Sequence, residues 1–162
     1  MEVKMADMVK EDNKNPDVAE FFSQHLYFSR FPEGDRIYMA NRCNVKKLSK
    51  DEVIFRDNEI GKCGYIVMDG AVKIYKEGFL GEEQIAQLGK GDIFGEMVLL
   101  DALPRSASAK AISDAKLIEL TDDMYTDLKA KRPDIAVKVM DIFLKLLTTR
   151  LRTTTLRLFG QF

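Results

Sequence analysis

The spacing of apolar residues along this chain changes period twice, from helical to strand-like and back. Val18, Phe21, Phe22 and Leu26 recur at helical intervals behind Asn15-Pro16, a capping residue and a first-turn proline. That helix is expected to end near Ser29 to Phe31, with Pro32 opening a second short one that carries Ile37, Tyr38 and Met39. From Val45 the pattern breaks into short runs separated by turn residues, which predicts β-structure. The strands fall at Val53–Phe55, Tyr65–Met68, Ala71–Tyr75, Gln84–Leu88, Ser106–Ile112 and Lys116–Leu120. Asp69-Gly70 suits a tight primed turn and predicts a hairpin, while Glu77 to Glu83 is expected to be a loop. At Thr121 the helical period returns, with Thr121-Asp122 capping a helix through Leu128. Pro133 then opens a long helix to Leu158, about 25 residues and roughly 37 Å.

These elements predict an α+β, mainly β fold: an antiparallel β-roll of jelly-roll kind flanked by N-terminal helices and a long C-terminal helix. Its parts are a polar tail (1–15), the N-terminal helices (16–44), the roll (45–120) and the C-terminal helices (121–162), all in one domain. The long helix carries two apolar stripes. One is Ile135, Val139, Ile142 and Leu146; the other is Met140, Phe143, Leu147, Leu151 and Leu158. A small roll has room to bury only one of them, so the second is expected to meet another subunit in a homodimer. Thr153, Thr154 and Thr155 interrupt the pattern late in the helix, where β-branched polar residues are mediocre helix formers.

Composition narrows the function by exclusion. The chain has 162 residues, 46% apolar and 31% charged, which suits a globular domain. Its net charge of −1 offers no bulk basic surface for nucleic acid. Cys43 and Cys63 lack metal or redox spacing and are expected to be reduced thiols in a cytoplasmic protein. No run is long enough to span a membrane, and the N-terminus has no apolar leader region. The single histidine, His25, lies outside the roll, so a metal-dependent β-roll enzyme is not expected, and His25 itself is expected to be packed or half-exposed rather than catalytic.

The candidate chemistry lies between Gly91 and Ala111, GDIFGEMVLLDALPRSASAKA. Gly95 and Glu96 precede a short helix over Met97 to Leu100, and Pro104-Arg105-Ser106 leads into a strand of alternating alanines, Ala107, Ala109 and Ala111. A helix start offers unpaired N–H groups, glycine lets an oxygen approach the backbone, and arginine grips a phosphate with a planar fork. Glu96 would repel a bare anion, but it suits a ligand that also carries a hydroxyl donor. Alternatively, Glu96 and Arg105 could simply pair with each other at the surface.

FGEMVLLDALPRSASAKA resembles the phosphate-binding cassette of the cyclic nucleotide-binding domains, which occur in the catabolite activator protein, cyclic-nucleotide-dependent kinases and gated channels. The match falls at Phe94, Gly95, Glu96, Leu99, Pro104, Arg105, Ser106, Ala107 and Ala109. YIVMDGAVKIY, GDIFGE and LYFSRF extend the resemblance over about residues 20 to 158, while Lys50 departs where the family often has glycine. The resemblance implies a receptor for a cyclic nucleotide, cAMP ahead of cGMP, with no further cofactor and no metal. The implied ligand-binding residues are Phe94, Gly95, Glu96, Met97, Arg105, Ser106 and Ala107. Thr153 and Thr154 would reach the purine base, and Glu96 would accept the ribose 2′-OH. The family's activator-type members dimerise through a parallel helix pair and continue into a helix-turn-helix, which this chain does not reach. It is therefore expected to signal through a partner protein, with two alternatives: the effector part of a transcription regulator, or a family member that has lost nucleotide binding.

Overall fold

A computed structural model of the protein describes residues 12–160, so the expected polar tail lies largely outside the described residues. The helices are α1 (Pro16–Gln24), α2 (Glu33–Ala40), α3 (Val98–Asp101), α4 (Asp122–Lys131) and α5 (Pro133–Leu158), with a 3-10 turn at Phe28–Arg30. The strands are β1 (Asn44–Leu48), β2 (Val53–Phe55), β3 (Cys63–Asp69), β4 (Val72–Gly78), β5 (Gly81–Leu88), β6 (Ile93–Phe94), β7 (Ser108–Ala111) and β8 (Ala115–Thr121). They form two four-stranded sheets, ordered β1-β8-β3-β6 and β2-β7-β4-β5, with antiparallel pairing throughout. The mainly β, α+β roll expected from the strand spacing is the fold observed.

Two apolar clusters explain the strand patterns. Phe55, Tyr65, Val67, Val72, Phe94, Ala109, Ala111 and Leu117 fill the interior of the roll. Phe22, Phe28, Met39, Ile66, Ile118, Leu120, Leu128, Ile135 and Phe143 form a second core between one sheet and the helices. Strand β3 therefore turns Tyr65 and Val67 into the roll and Ile66 toward the helices, so both its faces are buried. That is why its sequence is an uninterrupted apolar run rather than an alternation. The alanines of β7 alternate as the sequence implies, with Ala109 and Ala111 inside and Lys110 outside.

Several local expectations are corrected. Asp69-Gly70 is not a hairpin turn: β3 and β4 belong to different sheets, and the pair is a corner between them. Gly70 takes φ +83°, and a Cβ there would come within 2.3 Å of the Asp114 carbonyl oxygen. The expected loop over Glu77 to Glu83 is instead a hairpin in which Gly78 pairs with Gly81, leaving Phe79 and Leu80 fully exposed at the tip. Helix α1 stops at Gln24 because His25 leaves the helical conformation, so Leu26 is exposed and outside the stripe. Asn15 occupies the capping position, but its side chain donates to the carbonyls of Ala40 and Cys43 instead. The strand expected from Ser106 to Ile112 is trimmed to Ser108–Ala111. Thr121 does cap α4, its hydroxyl accepting from the Met124 N–H at 3.1 Å.

Candidate anion-binding site

The chain approaches the cassette through Gly91, whose N–H donates to the Val67 carbonyl, and Asp92, whose carboxylate accepts from the Gly89 N–H. Strand β6 then pairs with β3, setting Phe94 beside Tyr65. Gly95 follows at φ +67°, a left-handed conformation that costs a residue with a side chain about 1 kcal/mol or more. Here the backbone turns away from the sheet into α3, and Glu96 is brought inward. Of the expected short helix, Met97 is the capping residue and α3 itself is a single turn that ends at Ala102, which is left-handed. Pro104 leads out to Arg105.

Arg105 is pinned at both ends. Its backbone N–H donates to the Glu59 carbonyl at 2.8 Å and its carbonyl accepts from the Asn58 N–H at 2.9 Å. Its guanidinium turns inward, and the residue as a whole is only 5% exposed. Nη1 donates to the Gly95 carbonyl at 2.9 Å and Nη2 to the Cys63 carbonyl at 2.6 Å, while Nε is buried without a partner. The guanidinium carbon lies 4.0 Å from the centre of the Phe55 ring. Burial lowers the pKa of Arg105 from its ordinary value, opposed by the nearby Glu59 and Glu96 carboxylates. The group still stays charged at any physiological pH. Burial likewise raises the Cys63 thiol and pushes the Tyr65 phenol up to about 12, so both remain neutral beside it.

Glu96 is fully buried and does not pair with Arg105, which removes the surface pair that the sequence left open. Its Oε1 accepts from Nη1 of Arg150 at 2.6 Å, and Arg150 also donates to the Ile93 carbonyl. Oε2 of Glu96 has no partner. The cassette is thereby tied to α5. This contact joins residues 54 positions apart, and the sequence reading missed it. One signal was available: a carboxylate destined for burial needs a counter-ion, and Arg150 lies one helical turn before Thr154 on the same face.

The structure joins Arg105 to Gly95 and sets Phe94 against the Phe55 ring beside the guanidinium, while Glu96 turns to Arg150. Met97 follows on the surface, half-exposed, and after Arg105 Ser106 is exposed while Ala107 is buried. Thr153 and Thr154 are exposed on α5, one turn beyond Arg150. The Thr153 and Thr155 hydroxyls donate to carbonyls four residues back, which satisfies them within the helix. A separate open groove of about 380 Å³ runs beside the approach loop, lined by His25, Lys90 and Asp92 among others. Both nitrogens of its buried histidine are already engaged.

A buried arginine presented by a glycine-hinged cassette on an antiparallel roll, with the cassette tied to a C-terminal helix, is the arrangement that the comparisons with known proteins place in a family. The model of the cyclic nucleotide-binding domain family matches residues 45–132, more than half of the chain, and the chain belongs to that family. It is 38% identical over 106 residues to a cyclic AMP receptor protein of Thermus thermophilus, covering 65% of this chain and 47% of that one. With a cAMP-dependent protein kinase regulatory subunit of Mycosarcoma maydis it shares 31% identity over 106 residues, 62% of this chain and 20% of the other. The chain thus spans about half of the first relative and a fifth of the second. Among solved structures, a cyclic nucleotide-binding domain from Methylobacillus flagellatus superposes with a TM-score of 0.79 at 26% identity, covering 91% of this chain and 83% of that one.

Proposed function

We propose that this chain is a receptor module for a 3′,5′-cyclic purine nucleotide, cAMP in preference to cGMP, and that ligand changes the placement of α5. The observation that carries this is Arg105: a cation 5% exposed, with no carboxylate paired to it among the described residues and with Nε unpartnered. A buried charge without a counter-charge is costly, and a cyclic phosphate supplies both the charge and the acceptors. The backbone at Gly95 and Glu96 meets the same phosphate, with Phe94 and Met97 on one side of the ligand and Ser106 and Ala107 on the other. Glu96 keeps Oε1 on Arg150 and offers Oε2 to the ribose 2′-OH. Thr154, with Thr153 beside it, meets the base from α5. The names of the relatives above favour cAMP.

Glu96 is central to the response, because one carboxylate would touch both the ligand and the helix. A ligand that draws on Oε2 alters the hold on Arg150, and occupancy biases α5 by its difference in affinity between the two placements. Catalysis has no part in this scheme; the output is a moved surface that a partner protein or an attached domain reads. Calorimetric titration with cAMP and cGMP tests it. Saturable binding is expected with both, tighter for cAMP, and Arg105→Ala is expected to weaken it about ten- to a hundredfold. A folded protein giving no saturable heat with either nucleotide at millimolar concentration would overturn the assignment.

A further inference from the structure

The guanidinium of Arg105 is held in place by more than its carbonyl partners. The Phe55 ring lies 4.0 Å from the guanidinium carbon, and Phe55 is itself braced by Tyr65 and Phe94, with centroids 6.0 and 6.1 Å away. Tyr65 and Phe94 stack on each other at 5.3 Å. Gly61 closes another side. A Cβ there would fall 2.3, 2.4 and 2.6 Å from Nε, the guanidinium carbon and Nη2 of Arg105. Such near-equal distances place that point over the flat face of the group, not at its rim. A Cβ on Gly95 would come 2.8 Å from Nη1 and 3.2 Å from Phe55. Ring, bare backbone and two carbonyls together shape a slot that admits a planar guanidinium and nothing bulkier.

We propose that Phe55 and Gly61 are positioning residues for anion capture, forming a slot that fixes the Arg105 guanidinium before ligand arrives; this rests on the assignment of the pocket to a cyclic phosphate. Without the slot, a long flexible side chain would be ordered at the moment of binding, at a cost in affinity. The slot also explains how a cation is tolerated where no carboxylate pairs with it, because the ring face offers partial compensation. Lysine could not use this slot. It has no flat face to lie on the ring and no fork to span the Gly95 and Cys63 carbonyls.

Phe55→Leu keeps an apolar filling and removes the ring, so it separates positioning from packing. cAMP affinity is expected to fall about three- to tenfold, with Phe55→Tyr restoring it. In an Arg105→Lys background, Phe55→Leu is expected to cost nothing further, a coupling that a purely structural role would not produce. Equal affinity of Phe55→Leu and wild type, or equal losses in both backgrounds, would overturn the slot. The Nε–H resonance of Arg105 in the ligand-free protein gives a second measurement that needs no nucleotide. It should be displaced by the ring current in wild type and return toward an ordinary arginine position in Phe55→Leu; an unmoved resonance would also overturn the slot. If wild type binds no cyclic nucleotide but the resonance shifts as expected, the slot stands and the ligand assignment alone fails.

Discussion

Glu96 and Arg150 carry the heaviest electrostatic stake of any residue pair in the site. The carboxylate side chain is 1% exposed and Arg150 is 42% exposed, so the acid depends on the base more than the reverse. Arg150→Ala strands a buried carboxylate, and the expected loss of stability is about 1–3 kcal/mol in urea unfolding. Adding Glu96→Gln should return part of that loss, because a neutral amide tolerates the site better. Strictly additive losses in the double variant would contradict the pairing. The cassette itself was legible in the sequence because its chemistry is local: Phe94 to Ala109 is one continuous segment whose glycine, carboxylate and arginine act within a few residues of one another. Arg150, Phe55 and Gly61 were not, since each enters from a distant element, and nothing local distinguishes an arginine on a helix or a glycine in a loop.

Among the elements, the junction between α1 and the cassette approach is held by His25. Its Nε2 lies 2.8 Å from the Gly91 carbonyl, and Nδ1 accepts from the N–H groups of Tyr27 and Phe28. The first contact requires a proton on Nε2 and the second requires Nδ1 to be bare, so the ring is neutral. Burial lowers its pKa below 6.5, opposed by the Gly91 carbonyl and the Asp92 charge. In the unfolded chain the histidine protonates more readily, so its contribution to stability is intact above about pH 6.5 and is lost as pH falls through the folded value. The melting temperature should therefore fall more steeply from pH 7 to pH 5 in wild type than in His25→Gln, and parallel curves would contradict this. The sequence left His25 packed or half-exposed and extended the helix past it, because helical spacing cannot show a ring capturing the N–H groups of Tyr27 and Phe28. Asp69-Gly70 misled in the same way. The dipeptide specifies a tight turn, and only the pairing of β8 with β3 and of β7 with β4 decides that this turn joins two sheets.

Across the whole molecule, α5 divides into a packed inner face and an outer face with exposed apolar residues. Ile135, Val139, Ile142 and Leu146 pack against the helical core as the first stripe predicted, and Phe143 joins them instead of the second stripe. What remains outward is Val137, Met140, Leu144, Leu147, Leu151, Thr154 and Leu158, alternating at three and four residues. That is a heptad seam, which a parallel copy of the same helix would cover. In such a pair Thr154 would face the second copy, next to the turn where Arg150 holds Glu96, so dimer seam, ligand and cassette would meet at one level of the helix. The most direct measurement of this switch uses spin labels at Arg157→Cys, beside the seam, in a Cys63→Ser background, with distances recorded with and without cAMP. A dimer is expected to give one inter-subunit distance distribution that moves to another at saturating ligand. A distribution that cAMP leaves unchanged while calorimetry shows it bound, or no inter-subunit distance at all, would contradict it.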